Sequence, residues 1–465
     1  MKRILLAALT ASALSSPALA QRTPPPPPAT VAPEVERLRD AALNDTVAWD
    51  IVEGLTTEVG QRLAGTEAEA RARAWSVARL TALGFKNVRI EPYRMPVWER
   101  GAESAEILAP FPQKLTLAAL GNSGATPAGG LTGEVAVFPS MAAFQSAPDD
   151  AIRGKIVYIG NAMPRTQDGS GYGAYGTARF TGPALAARRG AVAIVIRSIG
   201  TDHHRFPHTG TTNFPEGVKP IPAAALSVPD AEQLERIASR GQPVRMKLVL
   251  TPRMVGTRES GNVIAEVPGS DPSAGIVLVG GHLDSWDLGT GAIDDASGIA
   301  ITAAAAKRIM DAGQPRRTIR VVWFGAEEVG GMGGEAYAKA HAGERHATAS
   351  ESDFGADRVW RFEVNLPATA RPVADRLQTA LAPLGITRGS GLGGDGTDIG
   401  PTIKLGTAGI DLNQSGWDYF DTHHTPDDVL DRVDPAALRQ NVAAWTAMLA
   451  VVANAPEAIG PVSPR

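Results

Sequence analysis

The sequence predicts an α/β fold, a mixed and largely parallel sheet flanked by helices, with a separate module set into it. Three observations point there. Ile276-Val277-Leu278-Val279 and Ile319-Arg320-Val321-Val322-Trp323-Phe324 are nearly continuous apolar runs, as expected of strands buried on both faces. They alternate with Ala-rich helical stretches such as Ile299 to Met310, the arrangement of parallel strands joined by crossover helices. The chain of 465 residues is also longer than one ordinary hydrophobic core supports, so a second folded unit is expected.

Taken in order, residues 1–20 read as a cleaved export signal: Lys2 and Arg3, an apolar run from Ile4 to Leu14, and Ala18-Leu19-Ala20 ahead of Gln21. That run is too short to span a bilayer stably, so membrane insertion is not expected. No cysteine follows the cleavage site, which excludes a bacterial lipid anchor there. Residues 21–33, with Pro24 to Pro28, form a stiff extended linker. From Glu34 to Leu83 the pattern is helical, carried by Val35, Leu38, Leu43, Ile51, Val52 and Leu55 and then an Ala/Arg-rich stretch closed by Gly84. Strand-like pieces follow at Val88 to Pro92 and Ala105 to Leu108. Gly, Ser, Pro and Thr cluster over 121–130 and mark a boundary. The main domain then occupies 34–124 and 253–465, with the module inserted over 125–252. Inside the module, short strands are expected at Val135 to Phe138, Lys155 to Ile159 and Ala193 to Ile196, with a helix at Pro183 to Arg189.

Composition narrows the chemistry. Hydrophobic content of 43% and charged content of 20% are those of a folded soluble protein. A formal net charge of −4 with scattered Lys and Arg gives no basic stripe to follow a phosphate backbone, so nucleic acid is not an expected partner. The absence of cysteine excludes disulfides, thiolate nucleophiles and thiolate zinc sites. Any metal must be held by His, Asp and Glu.

The polar clusters fall where an open α/β sheet builds its site, beyond the carboxyl ends of strands. The first apolar run ends in Gly280-Gly281-His282-Leu283-Asp284-Ser285, and the second in Gly325-Ala326-Glu327-Glu328. Asp294-Asp295 lies at the turn into the helix that begins near Ile299, and His423-His424-Thr425-Pro426-Asp427-Asp428 sits on a loop before a helix with Asp434 as N-cap and Pro435 in its first turn. Each cluster alone has an ordinary explanation. Paired acids usually form a solvated face, a single histidine is more often a satisfied core residue, and Asp294-Asp295 could cap a helix. Their joint occurrence in this order has no such explanation.

These residues resemble the co-catalytic zinc exopeptidases, the family of bacterial leucyl aminopeptidases and glutamate carboxypeptidases. The closer likeness is to its plasma glutamate carboxypeptidase branch. It extends to Gly60-Gln61-Arg62-Leu63-Ala64-Gly65, Val97-Trp98-Glu99-Arg100-Gly101, Gly154-Lys155-Ile156-Val157, Ile196-Arg197-Ser198, Pro207-His208-Thr209-Gly210 and the run from Gly281 to Gly291. The resemblance implies a zinc exopeptidase fold in which 125–252 is an inserted, mainly-β protease-associated domain. It implies two zinc ions per chain, with Asp294 bridging them, His282 and Asp353 completing one site and Glu328 and His424 the other. Such donors suit zinc. Glu327 would be the general base, His423 would donate a hydrogen bond to the oxyanion, and Asp284 would fix the His282 ring through its other nitrogen. Asp428 would be a supporting residue and not a ligand. The resemblance also implies a cis peptide bond between Asp294 and Asp295.

Asp353 comes from Glu351-Ser352-Asp353, with Glu351 as the alternative acid. His203, His204 and His208 are expected on a surface loop, and His341 and His346 as solvated residues at a helix end. Arg179, in Tyr175-Gly176-Thr177-Ala178-Arg179-Phe180, matches an arginine that related carboxypeptidases present to a terminal carboxylate; a surface arginine is the alternative. The function expected is therefore a periplasmic or secreted metalloprotease, a carboxypeptidase or dipeptidase acting on short peptides, with a homodimer implied by the resemblance. Alternatives are an aminopeptidase on longer peptides, a catalytically inactive binding or receptor-like protein on the same scaffold, and a glutaminyl cyclase, which normally lacks the inserted domain.

Overall fold

The computed structural model describes residues 29–464. The expected export signal, 1–20, and the linker as far as residue 28 lie outside the described residues. In chain order the strands are β1 (Lys86–Glu99), β2 (Glu103–Ala109), β3 (Gln113–Leu115), β4 (Leu117–Ala119), β5 (Leu131–Phe138), β6 (Ile156–Ile159), β7 (Ala193–Arg197) and β8 (Ala223–Leu226). There follow β9 (Arg245–Leu250), β10 (Arg253–Val267), β11 (Ile276–His282), β12 (Ile319–Phe324), β13 (His346–Glu351), β14 (Val359–Asn365), β15 (Thr387–Arg388) and β16 (Ala408–Gln414).

They form two eight-stranded sheets. The first has the order β1-β10-β12-β11-β13-β16-β14-β15, and its four central strands, β12, β11, β13 and β16, are parallel. Both apolar runs of the sequence lie here, and every residue of β12 is buried. Register aligns the ends that matter: His282 pairs with Phe324, and Gly280 pairs with Glu351. The strand beginning near Val88 extends to Glu99 because it pairs along its length with β10. It tolerates Pro92 and Pro96 as the edge of the sheet, where a missing N–H leaves no ladder partner unsatisfied.

The second sheet has the order β3-β2-β9-β5-β6-β7-β8-β4. It starts with β2 at Glu103, so the passage between sheets falls at 99–103 and not at the Gly/Ser/Pro/Thr cluster of 121–130, which lies between two of its strands. Nor is this unit mainly β. Its centre, β5-β6-β7-β8, is parallel, and parallel strands need crossovers, supplied here in part by the helices Met141–Ser146 and Gly182–Arg188. One apolar core is continuous from the first sheet into a face of the second, through residues such as Leu120, Ile199 and Phe420. Among the described residues one helix, Pro435–Asn454, is long and apolar enough to cross a membrane, but 89% of its apolar window is buried inside the protein. Asp434 caps it by accepting the Ala436 N–H, and Pro435 opens the first turn.

Candidate active site

Four neighbouring parallel strands end together, and each delivers part of the site. β11 ends at His282. β12 leads into Glu327-Glu328 through Ala326, which takes a left-handed conformation (φ +57°) that bends the chain back across the sheet's end. β13 leads to Asp353. Beyond β16, the short helix Tyr419–Thr422 leads into His423 and His424, the latter also left-handed at φ +59°. Asp294 and Asp295 precede the helix Ser297–Ala312, and the peptide bond between them is cis.

Asp294 is the centre of the cluster. Its Oδ1 lies 2.9 Å from His282 Nε2, which is in turn 3.4 Å from Asp353 Oδ1. Its Oδ2 lies 3.4 Å from His424 Nε2, which is 2.9 Å from Glu328 Oε2. One carboxylate thus faces two separate sets of imidazole and carboxylate donors. His423 Nε2 also approaches Asp294 Oδ2, at 3.6 Å, but the contact with Glu328 is made by His424. The His423 and His424 rings stack with centroids 3.5 Å apart.

The electrostatics fit cations at this centre. Burial and the neighbouring Asp294 push the Glu328 carboxyl well above the usual carboxylate range, and Glu328 Oε1 is buried without a hydrogen-bond partner. Burial raises Asp353 to about 7. Burial pulls the His282 pKa down, yet Asp353 and Asp294 hold it well above normal. Crowded, desolvated carboxylates next to imidazoles, with an orphaned oxygen among them, suit divalent metal ions better than protons alone.

Supporting residues hold this geometry. Asp295 accepts the His282 N–H (3.0 Å) and the Gly298 N–H (3.0 Å), so it ties strand end to helix start. Asp428 accepts from the Ile293 N–H at 2.6 Å and the Asp294 N–H at 3.3 Å, and so braces Asp294. The Asp284 expectation also needs correcting. His282 Nδ1 meets the Asp284 backbone carbonyl at 2.9 Å, while the carboxylate stands 3.7 Å away and instead accepts the Glu327 N–H at 3.1 Å. Glu351, the alternative to Asp353, is turned away and accepts the N–H groups of Asp398 and Ile399. Beneath the centre, Arg62 is fully buried and donates to the carbonyls of Leu283, Thr290 and Gly291 at 2.5, 2.5 and 2.9 Å. The sequence reading gave Arg62 no role; a lone arginine in a Gly-rich segment carries no sign of the carbonyls it will meet.

Glu327 and Arg179 line one cavity of about 490 Å³ with Asp294, Glu328, Asp353, His423 and His424. Arg179 is no surface residue. It is 2% exposed, donates to the Thr209 carbonyl (3.2 Å) and the Tyr172 hydroxyl (2.6 Å), and lies over the Phe180 ring. The second sheet's unit therefore supplies a wall of the cavity. Three histidine expectations change. His203 is exposed as expected, but His208 is buried against His423. His341 is buried between Glu91 and Glu344, and His346 begins β13 with its Nε2 2.8 Å from the Tyr337 hydroxyl. Those two sit in a polar layer between helix Met332–Ala340 and the sheet, which a local reading of charged neighbours mistakes for solvent.

Fold and site together define a metallo-exopeptidase. The model of peptidase family M28 matches residues 262–449. Carboxypeptidase Q of Bos taurus is 36% identical over 406 residues, covering 87% of this chain and 84% of its own. Carboxypeptidase Q of Homo sapiens matches at the same identity and coverage. A solved peptidase M28 precursor from Shewanella amazonensis superposes with a TM-score of 0.90 at 46% identity, covering 93% of this chain and 98% of that one. The chain belongs to peptidase family M28, as a carboxypeptidase Q-like member.

Proposed function

We propose that the chain is an exported zinc-dependent exopeptidase that hydrolyses dipeptides or short peptides, holding two zinc ions through His282, Asp294, Glu328, Asp353 and His424 and using Glu327 as general base. The observation that carries this is the division of Asp294, one oxygen toward His282 and Asp353 and the other toward His424 and Glu328. Zinc suits imidazole and carboxylate donors in a chain without cysteine. A relative in the same fold, from Bacillus subtilis, is a zinc aminopeptidase. When bound, zinc supplies Lewis acidity that polarises a carbonyl and makes water a nucleophile near neutral pH.

The chain's own residues do the rest. Glu327, on the cavity wall, takes a proton from the attacking water onto a carboxylate oxygen and passes it to the leaving amine nitrogen. His423, whose Nδ1 is buried without a partner, donates to the oxyanion developing on the scissile carbonyl. Arg179 attracts the terminal carboxylate of a short substrate, and Tyr172, Phe180 and Phe420 keep water from the bond. Arg179, Tyr172 and Phe180, which belong to it, support reading 125–252 as a protease-associated insertion that shapes the cleft. Export rests on Lys2, Arg3, the run from Ile4 to Leu14 and Ala18-Leu19-Ala20.

A panel of free, N-acetylated and C-amidated dipeptides with longer peptides tests the assignment. Free dipeptides are expected to be hydrolysed best, and C-amidation to raise KM in the wild type but not in Arg179→Met. Equal rates on long peptides and amidated dipeptides would favour an aminopeptidase instead.

A further inference from the structure

We propose that His208, clamped by Asp202, is a positioning residue for the catalytic histidines, which makes the second sheet a working part of the metal centre. The proposal rests on the two-metal reading above. His208 is 1% exposed, and its ring spans two acceptors: Nε2 lies 2.7 Å from Asp202 Oδ1, and Nδ1 lies 2.7 Å from the backbone carbonyl of His423. Both ring nitrogens are engaged at hydrogen-bond distance, so the ring can neither flip nor rotate freely. The clamp is fixed to the sheet behind it. The His208 N–H donates to Ser198 Oγ at 2.8 Å, beside the end of β7, and that hydroxyl donates to the Leu226 carbonyl at the end of β8.

Thr209 continues the contact. Its N–H donates to the His424 carbonyl at 3.0 Å, and its own carbonyl stands 3.2 Å from His424 Nδ1. His424 Nδ1 also lies 3.2 Å from Arg179 Nη1, and the ring held on that edge turns Nε2 toward Glu328 and Asp294, as a metal ligand requires. The turn itself needs such support, because His424 adopts a left-handed conformation (φ +59°) that is unfavourable for a non-glycine residue. Three bonds from residues 208 and 209 to residues 423 and 424 hold it there. The fit has no slack. A Cβ on Gly200 would lie 2.2 Å from His208 Nε2, so the neighbouring backbone passes where only glycine allows the ring to stand.

His208→Leu removes both hydrogen bonds, Gly200→Ala displaces the ring without touching it chemically, and His208→Gln keeps an N–H able to reach the His423 carbonyl. Metal content after equilibrium dialysis against a weak chelator, the visible absorption of the cobalt-substituted protein, and kcat and KM are the readouts. In His208→Leu and Gly200→Ala, one of the two ions is expected to bind about 10–100-fold more weakly while the other is unchanged, and kcat to fall with little change in KM. His208→Gln is expected to recover part of both losses. Should His208→Leu fail to fold, Asp202→Asn, which preserves shape, carries the same expectation. Variants that hold both ions as tightly as the wild type, whatever their melting temperature, make His208 an ordinary core residue and overturn the proposal. A wild type that never holds two ions overturns the two-metal reading first, and the proposal with it.

Discussion

Replacing Glu327 with glutamine isolates proton transfer with almost no change of shape. The features that aim this side chain are in the backbone: the left-handed Ala326 before it and the N–H donated to Asp284 Oδ1 at 3.1 Å. Both survive the substitution. An amide accepts no proton at working pH, so the general-base contribution proposed for Glu327, about 10²–10⁴-fold, is expected to be lost. Its neighbours on the cavity wall, among them Tyr172, Arg179, Phe180 and Phe420, are unchanged by the substitution. The expected loss in kcat is therefore about 10²–10⁴-fold, or about 2.8–5.5 kcal/mol at about 1.4 kcal/mol per tenfold. Steady-state kinetics on a free dipeptide, with metal analysis and thermal melting of the same preparation, provide the assay. Glu327→Gln is expected to keep its metal and its melting temperature. Retention of more than a tenth of wild-type kcat would refute the reasoning, and loss of metal would show that Glu327 is a ligand.

Arg62→Met strands three buried carbonyls at about 1 kcal/mol each, the low end because burial of a guanidinium is relieved at the same time. With an unfolding entropy of about 2.1 cal/mol/K per residue over this length, the metal-free protein should melt about 3 °C lower by calorimetry, and an unchanged melting temperature would mean the loop of 283–291 is held by other bonds. His341 gives a pH signature. Its hydrogen bond to Glu91 raises its pKa above the ordinary 6.5, against the opposing effect of burial, with Glu344 also raising it and the nearby Arg320 lowering it. The group's folded-state pKa is the higher one, so its stabilisation is complete below the ordinary value and fades as pH rises through the folded value. His341→Gln should accordingly melt below wild type in weak acid and converge with it in alkali; a gap independent of pH would contradict the pairing.

Much of the site was legible because its donors stand at the ends of apolar runs, and the order His-x-Asp, Asp-Asp, Glu-Glu and His-Thr-Pro is visible without coordinates. What sequence could not supply was contact across the chain. His208 meets His423 over a separation of 215 residues, and Arg62 meets Gly291 over 229. No local pattern marks either. The role of Asp284 was misjudged for a related reason: the ring of His282 is fixed by a backbone carbonyl, which every residue has, and so no residue type advertises it. The mainly-β character that the resemblance implies gives way to a parallel centre that needs crossover helices, and the unit's entry point at Glu103 follows a short turn with no strong break in composition.

Metal stoichiometry in two single variants tests the central claim most directly. Elemental analysis of dialysed protein should find two zinc ions in the wild type, one in Glu328→Ala, and neither held tightly in Asp294→Ala, because in the proposed arrangement Asp294 would serve both sites, one oxygen facing His282 and the other His424. An Asp294→Ala protein that keeps one ion as firmly as Glu328→Ala does, or a wild type that saturates at one, would contradict the account.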